Sequence, residues 1–212
     1  MTDVWSERAE LYRTSGAHRT GPDLDLLVEW TAGARTALDV GTGGGHVARR
    51  LREAGLEVVT SDPSPGMKPD VVSTAEHLPF ADASFDAVAT RLAAHHFEGV
   101  AAAVAELARV SADRVLVVDN LFMSETAEEA DRVRDPTHVR NYGEDEWRSF
   151  LTDAGLDVVD VRRFDKPIEL EPWLERAGTP EHDAATVRRL LADRIDGGWI
   201  RLDRIALKAV KA

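Results

Sequence analysis

The chain has 212 residues, 43% of them hydrophobic, enough for one domain of moderate size with its own core. Its net charge of −12, with the 26 basic residues scattered, argues against nucleic acid or an anionic membrane surface as a main partner, since both call for massed positive charge. With no cysteine, disulfides, thiolate catalysis and cysteine-based zinc sites are excluded.

Asp3–Thr14 reads as a helix, with Val4, Ala9, Leu11 and Tyr12 as contact residues. The polar start Met1–Glu10 lacks the apolar core of a signal peptide, and no later run approaches the roughly 20 apolar residues that cross a bilayer, so a cytoplasmic protein is expected. Pro22 opens a second helix, because its missing N–H costs nothing in the first turn, and Leu24, Leu27, Val28 and Trp30 give that helix an apolar side. Strands are then expected at Thr36–Val40, Glu57–Ser61, Asp70–Ser73, Phe85–Thr90, Arg114–Asp119, Asp157–Phe164 and Trp199–Val210. Helices are expected at Gly45–Ala54, Gly99–Val110, Ser124–Arg134, Glu144–Ala154, Glu169–Ala177 and Pro180–Asp196. Strands alternating with helices imply a mainly parallel sheet covered on both faces. In the last strand the apolar phase shifts from Ile200 and Leu202 to Ile205 and Leu207, which predicts a bulge near Asp203. Only Pro63–Asp70 joins the second and third strands. About eight extended residues reach roughly 26 Å, enough to return along the sheet without a crossover helix. A thin cover is therefore expected there, beside the ligand crevice.

The first strand runs into Gly41, Gly43 and Gly45, whose missing side chains allow a sharp bend and close approach to a ligand. In an open α/β sheet this bend faces the crevice at the strands' carboxyl ends. Asp62, ending the second strand, offers acceptors for both hydroxyls of a ribose. Residues Gly43 to Ala48 also satisfy the Gly-x-Gly-x-x-Ala form of a dinucleotide fingerprint, so an NAD-dependent oxidoreductase stays open on these features alone.

Asp39-x-Gly41-x-Gly43-x-Gly45, Asp62-x-Ser64-x-x-Met67 and the segment Ala75–Asp86 together resemble class I S-adenosylmethionine-dependent methyltransferases, and most of all the subgroup that holds the ubiquinone/menaquinone-biosynthesis C-methyltransferases. The resemblance covers nearly the whole chain. It implies a Rossmann-like α/β fold with a seven-stranded, mostly parallel sheet, an antiparallel last strand and helices on both faces. It also implies one domain over 1–212, with an N-terminal helical cap over 1–33 and a helical insertion over 166–197 before the last strand. The implied cofactor is S-adenosyl-L-methionine. Its implied contacts are Asp39 and the glycines at the methionine part, Met67, Ala75 and Glu76 at the adenine, and Tyr12, Asp62, Pro63, Arg91 and Leu92 around the rest.

The fourth strand ends near His95 and His96, where cofactor and acceptor should meet; a neutral imidazole there can act as general base, or one ring can cap the next helix while the other packs. Their side chains are not expected both to face the pocket. Arg134–Tyr142 forms a polar island resembling a segment of the same subgroup. In it Arg134 and Arg140 can clamp a carboxylate or a quinone or phenol oxygen, and His138 is a further candidate base; an ion-paired loop is the alternative. Asp119, at the end of the fifth strand, orients a cofactor amino group or substrate hydroxyl, or caps a helix. Trp173 lines an aromatic site or anchors a helix. No metal site is expected, because no third ligand stands at a recognisable spacing from the histidines. The family's Leu-x-Pro-Gly-Gly turn before the fifth strand is replaced by Val110–Asp113, a local loop change at the end of the sheet away from the cofactor. The partner implied is a small-molecule methyl acceptor, with no nucleic acid and no membrane; a homodimer stays open, as does a non-catalytic protein that binds the cofactor as a sensor.

Overall fold

A computed structural model describes residues 3–211; Met1 and Thr2 of the expected N-terminal cap, and Ala212, lie outside the described residues. Helices α1 (Val4–Thr14), α2 (Gly16–Arg19) and α3 (Pro22–Trp30) precede the sheet. The strands are β1 (Thr36–Val40), β2 (Glu57–Asp62), β3 (Val71–Val72), β4 (Phe85–Arg91), β5 (Ser111–Asn120), β6 (Leu156–Glu169), β7 (Ile195–Asp196) and β8 (Trp199–Lys211). The remaining helices are α4 (His46–Glu53), α5 (Val100–Val110), α6 (Glu125–Arg134), α7 (Glu144–Asp153), α8 (Leu170–Ala177) and α9 (Glu181–Leu190).

The sheet runs in the order β3-β2-β1-β4-β5-β8-β6, with short β7 paired to the start of β8. Strands β1 to β5 are parallel, and β8 is antiparallel to both β5 and β6. This is the Rossmann-like sheet implied by the sequence, extended by β7 as an eighth strand. Alternate side chains of the central strands build two cores. Leu38, Val88, Val115, Val117, Ile205 and Leu207 pack against α5 and α7, whereas Ala37, Ala87, Ala89, Leu116, Val118 and Ala206 pack against α3 and α4. The small residues on the second face let α4 sit close, with Val47, Ala48 and Leu51 inward. Of the stretch 1–33, α1 and α2 lie toward the strand ends, while α3 contributes Leu24, Leu27 and Trp30 to the sheet's cover.

Three local expectations are corrected. The helix expected over Pro180–Asp196 ends at Leu190; a 3-10 turn at Ala192–Arg194 follows, and Ile195–Asp196 becomes β7. Gly197 and Gly198, with φ of 52° and 86°, make the tight hairpin into β8 that turns these residues into a strand. The bulge expected near Asp203 is absent, since β8 pairs with β6 in continuous register from Trp199 to Lys208 and the irregularity lies between Val158 and Asp160 of β6. The phase change has another cause. Ile200 and Leu202 face a third core with α6, α8 and α9, whereas Arg204, Ile205, Ala206 and Leu207 are buried on both faces of β8. Strand β6 also runs five residues past Phe164, to Glu169.

The altered turn before β5 is a direct passage from α5 into the strand: Phe85 pairs with Ser111 but Ala87 with Arg114, so β5 carries one extra residue there. The thin cover between β2 and β3 is a 3-10 turn at Pro65–Met67. Helix α1 docks on it. Ser6 Oγ contacts Ser64 Oγ and accepts from the Gly66 N–H, both at 3.0 Å, and Arg13 donates to the Gly66 carbonyl at 3.1 Å.

Candidate active site

The carboxyl ends of β1, β2 and β4 open into a cleft bounded by the glycine bend, Asp39, Asp62 with Pro63 and Met67, and Arg91–Ala93 with His96; Trp5, Tyr12 and His18 complete it from the N-terminal segment. The bend needs its glycines. Gly41 has φ 69°, and a Cβ there would stand 2.6 Å from the Ala93 Cβ. A Cβ on Gly44 would meet the Tyr12 carbonyl oxygen at 2.7 Å, so the absent side chain lets the N-terminal segment close on the bend. His46 Nε2 holds that carbonyl at 3.0 Å. Leu92 is left-handed (φ 54°), a strained conformation for a side chain with a Cβ, and it borders the cleft.

Two carboxylates converge on the bend. Asp62 Oδ2 accepts the Gly43 N–H at 3.0 Å and Oδ1 accepts the Ser64 N–H at 2.9 Å, while burial raises its pKa. Asp39 Oδ2 accepts from Thr42 Oγ1 at 2.6 Å and from the Ala48 N–H at 3.1 Å, and burial pushes its carboxyl up to about 6 from an ordinary 3.8. A pKa raised by folding gives stability that is complete below 3.8 and is lost as pH rises through 6. Asp39→Asn keeps an acceptor for both donors and cannot ionise. It is expected to stabilise the unliganded protein at neutral pH by roughly 1–3 kcal/mol, and to be neutral in acid below the ordinary carboxylate pKa. Urea unfolding at the two pH values measures this; an equal gain at both would rule ionisation out as its source.

A second cavity adjoins the cleft and shares Tyr12, His18, Leu92 and His96 with it; its other walls include His95, Asn120, Arg134, Trp173, Arg176 and Arg204. His95 and His96 sit in a 3-10 turn, Ala94–His96, rather than in extended chain. Neighbouring side chains therefore do not alternate between faces, and both rings reach this cavity, contrary to expectation; His96 alone of the two also lines the cleft. Their environments push them apart. His95 Nδ1 pairs with Asp119 Oδ1 at 2.5 Å; burial opposes its charged form, but Asp119 outweighs burial and raises its pKa. His96 Nδ1 donates to the Thr137 carbonyl at 3.0 Å, which leaves the lone pair on Nε2. Burial, then the neighbouring His95, hold His96 well below the ordinary range, so it is neutral at pH 7.

Tyr12, Asp39, Gly41, Gly43, Asp62, Pro63, Met67, Arg91 and Leu92 all border the cleft, and Arg134 and Trp173 border the second cavity, with the Arg134 guanidinium 4.3 Å over the Trp173 ring. Gly45 instead caps α4 in a left-handed conformation. Ala75 is buried in the core, and Glu76 accepts the Gly99 N–H at 3.2 Å, so neither borders the cleft. Asp119 is spent on His95, taking its ring Nδ1 and, at 3.0 Å, its backbone N–H, and faces neither cavity. Arg140 is half exposed and pairs with Glu146 at 2.9 Å, away from the cavity. His138 lies behind the histidine turn, because its loop is pinned by the Val139 and Arg140 N–H groups on the His95 carbonyl; its Nε2 meets Glu128 at 3.1 Å. The fold also gathers Glu128, Asp131 and His138 so that one donor atom of each lies within 4.8 Å of the others, a grouping that no sequence spacing revealed. Asn141 bonds both acids, through its N–H to Glu128 at 3.2 Å and its side chain to Asp131 at 2.9 Å, which knits the group into a buried polar network. Sequence reading missed Arg176, Arg204 and Asp23. Asp23 is fully buried, accepts from Arg91 at 2.5 Å and stands 3.9 Å from Arg204.

The family described as Methyltransferase domain matches residues 38–118, and over 201 residues the chain is 34% identical to an uncharacterized methyltransferase, YcgJ of Bacillus subtilis, covering 83% of this chain and 79% of that protein. The chain belongs to the class I S-adenosylmethionine-dependent methyltransferases, and S-adenosylmethionine is its cofactor. The crystal structure of YcgJ superposes with a TM-score of 0.79 at 29% identity, over 89% of this chain and 97% of that one. A putative methyltransferase of Bacillus halodurans gives 0.82 at 27% identity, over 90% and 99%. A 1,6-didemethyltoxoflavin-N1-methyltransferase of Burkholderia thailandensis, solved with 1,6-didemethyltoxoflavin and S-adenosylhomocysteine bound, shares the fold with a TM-score of 0.63 at 17% identity, over 99% and 87%. The oxidoreductase and sensor readings gain no support. Among the described residues no helix is long and apolar enough to cross a membrane.

Proposed function

We propose that this chain methylates a small molecule held in the second cavity, with the cofactor in the cleft and His96 Nε2 receiving the proton that the acceptor gives up. The observation that carries this reading is the position of His96, which belongs to both cavities and whose Nε2 makes no hydrogen bond among the described residues. The residues present suit the cofactor. The glycine bend gives room for close approach, Asp62 offers free lone pairs to ribose hydroxyls, and Asp39 stands at the methionine end. Met67 and Pro63 supply apolar surface beside them.

Bound there, the cofactor supplies a methyl group already activated on a sulfonium, so the chain's own task is positioning. Holding the acceptor atom in line with the methyl lowers the barrier by about 7–11 kcal/mol at best. Trp5, Tyr12 and His18 line the cleft from the N-terminal segment, where they can limit the access of water to the bound cofactor. The Burkholderia fold neighbour, a 1,6-didemethyltoxoflavin-N1-methyltransferase with 1,6-didemethyltoxoflavin bound, supports a small-molecule acceptor within this architecture. Fold alone does not fix chemistry, so the direct test is transfer of labelled methyl to a panel of phenols, quinols and small acids. Asp62→Ala is expected to weaken S-adenosylmethionine binding by about 1–3 kcal/mol, the cost of unpaired ribose hydroxyls. Unchanged affinity by titration calorimetry would remove Asp62 from the cofactor site.

A further inference from the structure

Three arginines line the second cavity, and among the described residues the carboxylates near them are shared or absent. Arg134 is 3.8 Å from Asp131 and 4.0 Å from Asp135. Arg176 is 7% exposed; its Nη1 donates to Ser15 Oγ at 3.1 Å and to the Pro172 carbonyl at 3.4 Å, and among the described residues no carboxylate pairs with it. Arg204 is 3% exposed. Its one ion contact among the described residues is Asp23 Oδ2 at 3.9 Å, an oxygen already held by Arg91 at 2.5 Å. Among the described residues its Nε and Nη1, both sealed from solvent, have no hydrogen-bond partner. Burial lowers both Arg176 and Arg204 to about 10, which leaves both charged at neutral pH. Buried cations with unfilled donors are costly, and an anion that fills them recovers the cost with strong, geometrically specific bonds. The neutral His18 and His96 on the same walls add no opposing charge.

We propose that the methyl acceptor carries an anionic oxygen group, a carboxylate or a phosphate, that docks on Arg176 and Arg204 inside the second cavity. This rests on the methyltransferase reading and adds the acceptor's class to it. A neutral phenol or quinone would leave both guanidinium groups unpaired in the complex.

The test is calorimetry on the full chain saturated with S-adenosylhomocysteine. The probes are benzoate and phenyl phosphate, with benzamide as the neutral counterpart of benzoate. The expected result is binding of at least one anion, with benzamide weaker by about tenfold or more, and benzoate against phenyl phosphate distinguishes the two oxyanions. Arg204→Met and Arg176→Met should each weaken the anion about 10- to 100-fold while S-adenosylhomocysteine still binds, which also reports that each variant folds. If a variant does not fold, the comparison of benzoate with benzamide on the wild-type chain decides alone. Benzamide binding as well as benzoate, variants that keep full anion affinity, or no anion binding at about 10 mM would each overturn the proposal. So would a variant that loses S-adenosylhomocysteine but keeps 5′-methylthioadenosine, because the arginine would then serve the cofactor's own carboxylate. Failure of S-adenosylhomocysteine to bind the wild-type chain would instead strike the methyltransferase reading.

Discussion

Replacement of His96 by alanine is expected to lower kcat by about 100- to 10,000-fold with little change in the dissociation constant of S-adenosylhomocysteine. The expectation comes from the tautomer. Nδ1 is committed to the Thr137 carbonyl, so the basic nitrogen is Nε2, on a ring that lines both cavities. Burial and His95 depress its pKa, so its basic form is fully present at neutral pH, and the wild-type rate should stay flat as pH falls from 8 to below the ordinary histidine value of 6.5. His95 titrates the other way, held up by Asp119 against its burial. A rate that follows protonation near or above 6.5 would point to His95 instead. A loss of less than about threefold in His96→Ala would remove the base from the mechanism and leave positioning alone.

Asp23→Ala is expected to cost about 3–5 kcal/mol of stability at neutral pH, because it strands two buried guanidinium groups. Asp23 is fully buried, receives Arg91 at 2.5 Å and faces Arg204 at 3.9 Å. Burial alone would raise its carboxyl; Arg91 and Arg204 override that and hold it below the ordinary 3.8. A depressed carboxylate contributes stability that is present above 3.8 and lost as pH falls through the folded value. The gap between wild type and Asp23→Ala should therefore narrow in acid. Urea unfolding at neutral pH and below the ordinary carboxylate range measures it, and a cost under about 1 kcal/mol would show that water screens the cluster despite its burial.

Local patterns carried the sheet. The run Ala37–Val40 before the glycines, the carboxylate at position 62 and the apolar periodicity of α3, α5 and α7 are local features, and together they mark the cleft in the sequence itself. The rest depended on distant pairing. Asp23, Arg91 and Arg204 come from α3, β4 and β8, and no window of sequence holds more than one of them. One signal was available: Arg204 falls in phase with Ile200 and Leu202 on the buried side of β8, where a charge needs a partner. Asp23 likewise shares the inward face of α3 with Leu27 and Trp30. Arg140 and Asp119 misled for the same reason, since both have the right chemistry and their actual partners, Glu146 and His95, are set by loop geometry. The hairpin at Gly197–Gly198 outweighed the helical pattern that precedes it.

Trp5, Tyr12 and His18 form part of the cleft's lining, and α1 is moored to the turn at Ser64–Gly66 by a handful of polar contacts. Ligand binding and the ordering of this segment are thus linked, and linkage is reciprocal: whatever free energy the segment lends the ligand, the ligand returns to the segment. A protease that nicks the first twenty residues would act as a competitor of the cofactor, and a saturating ligand would shield them from cleavage.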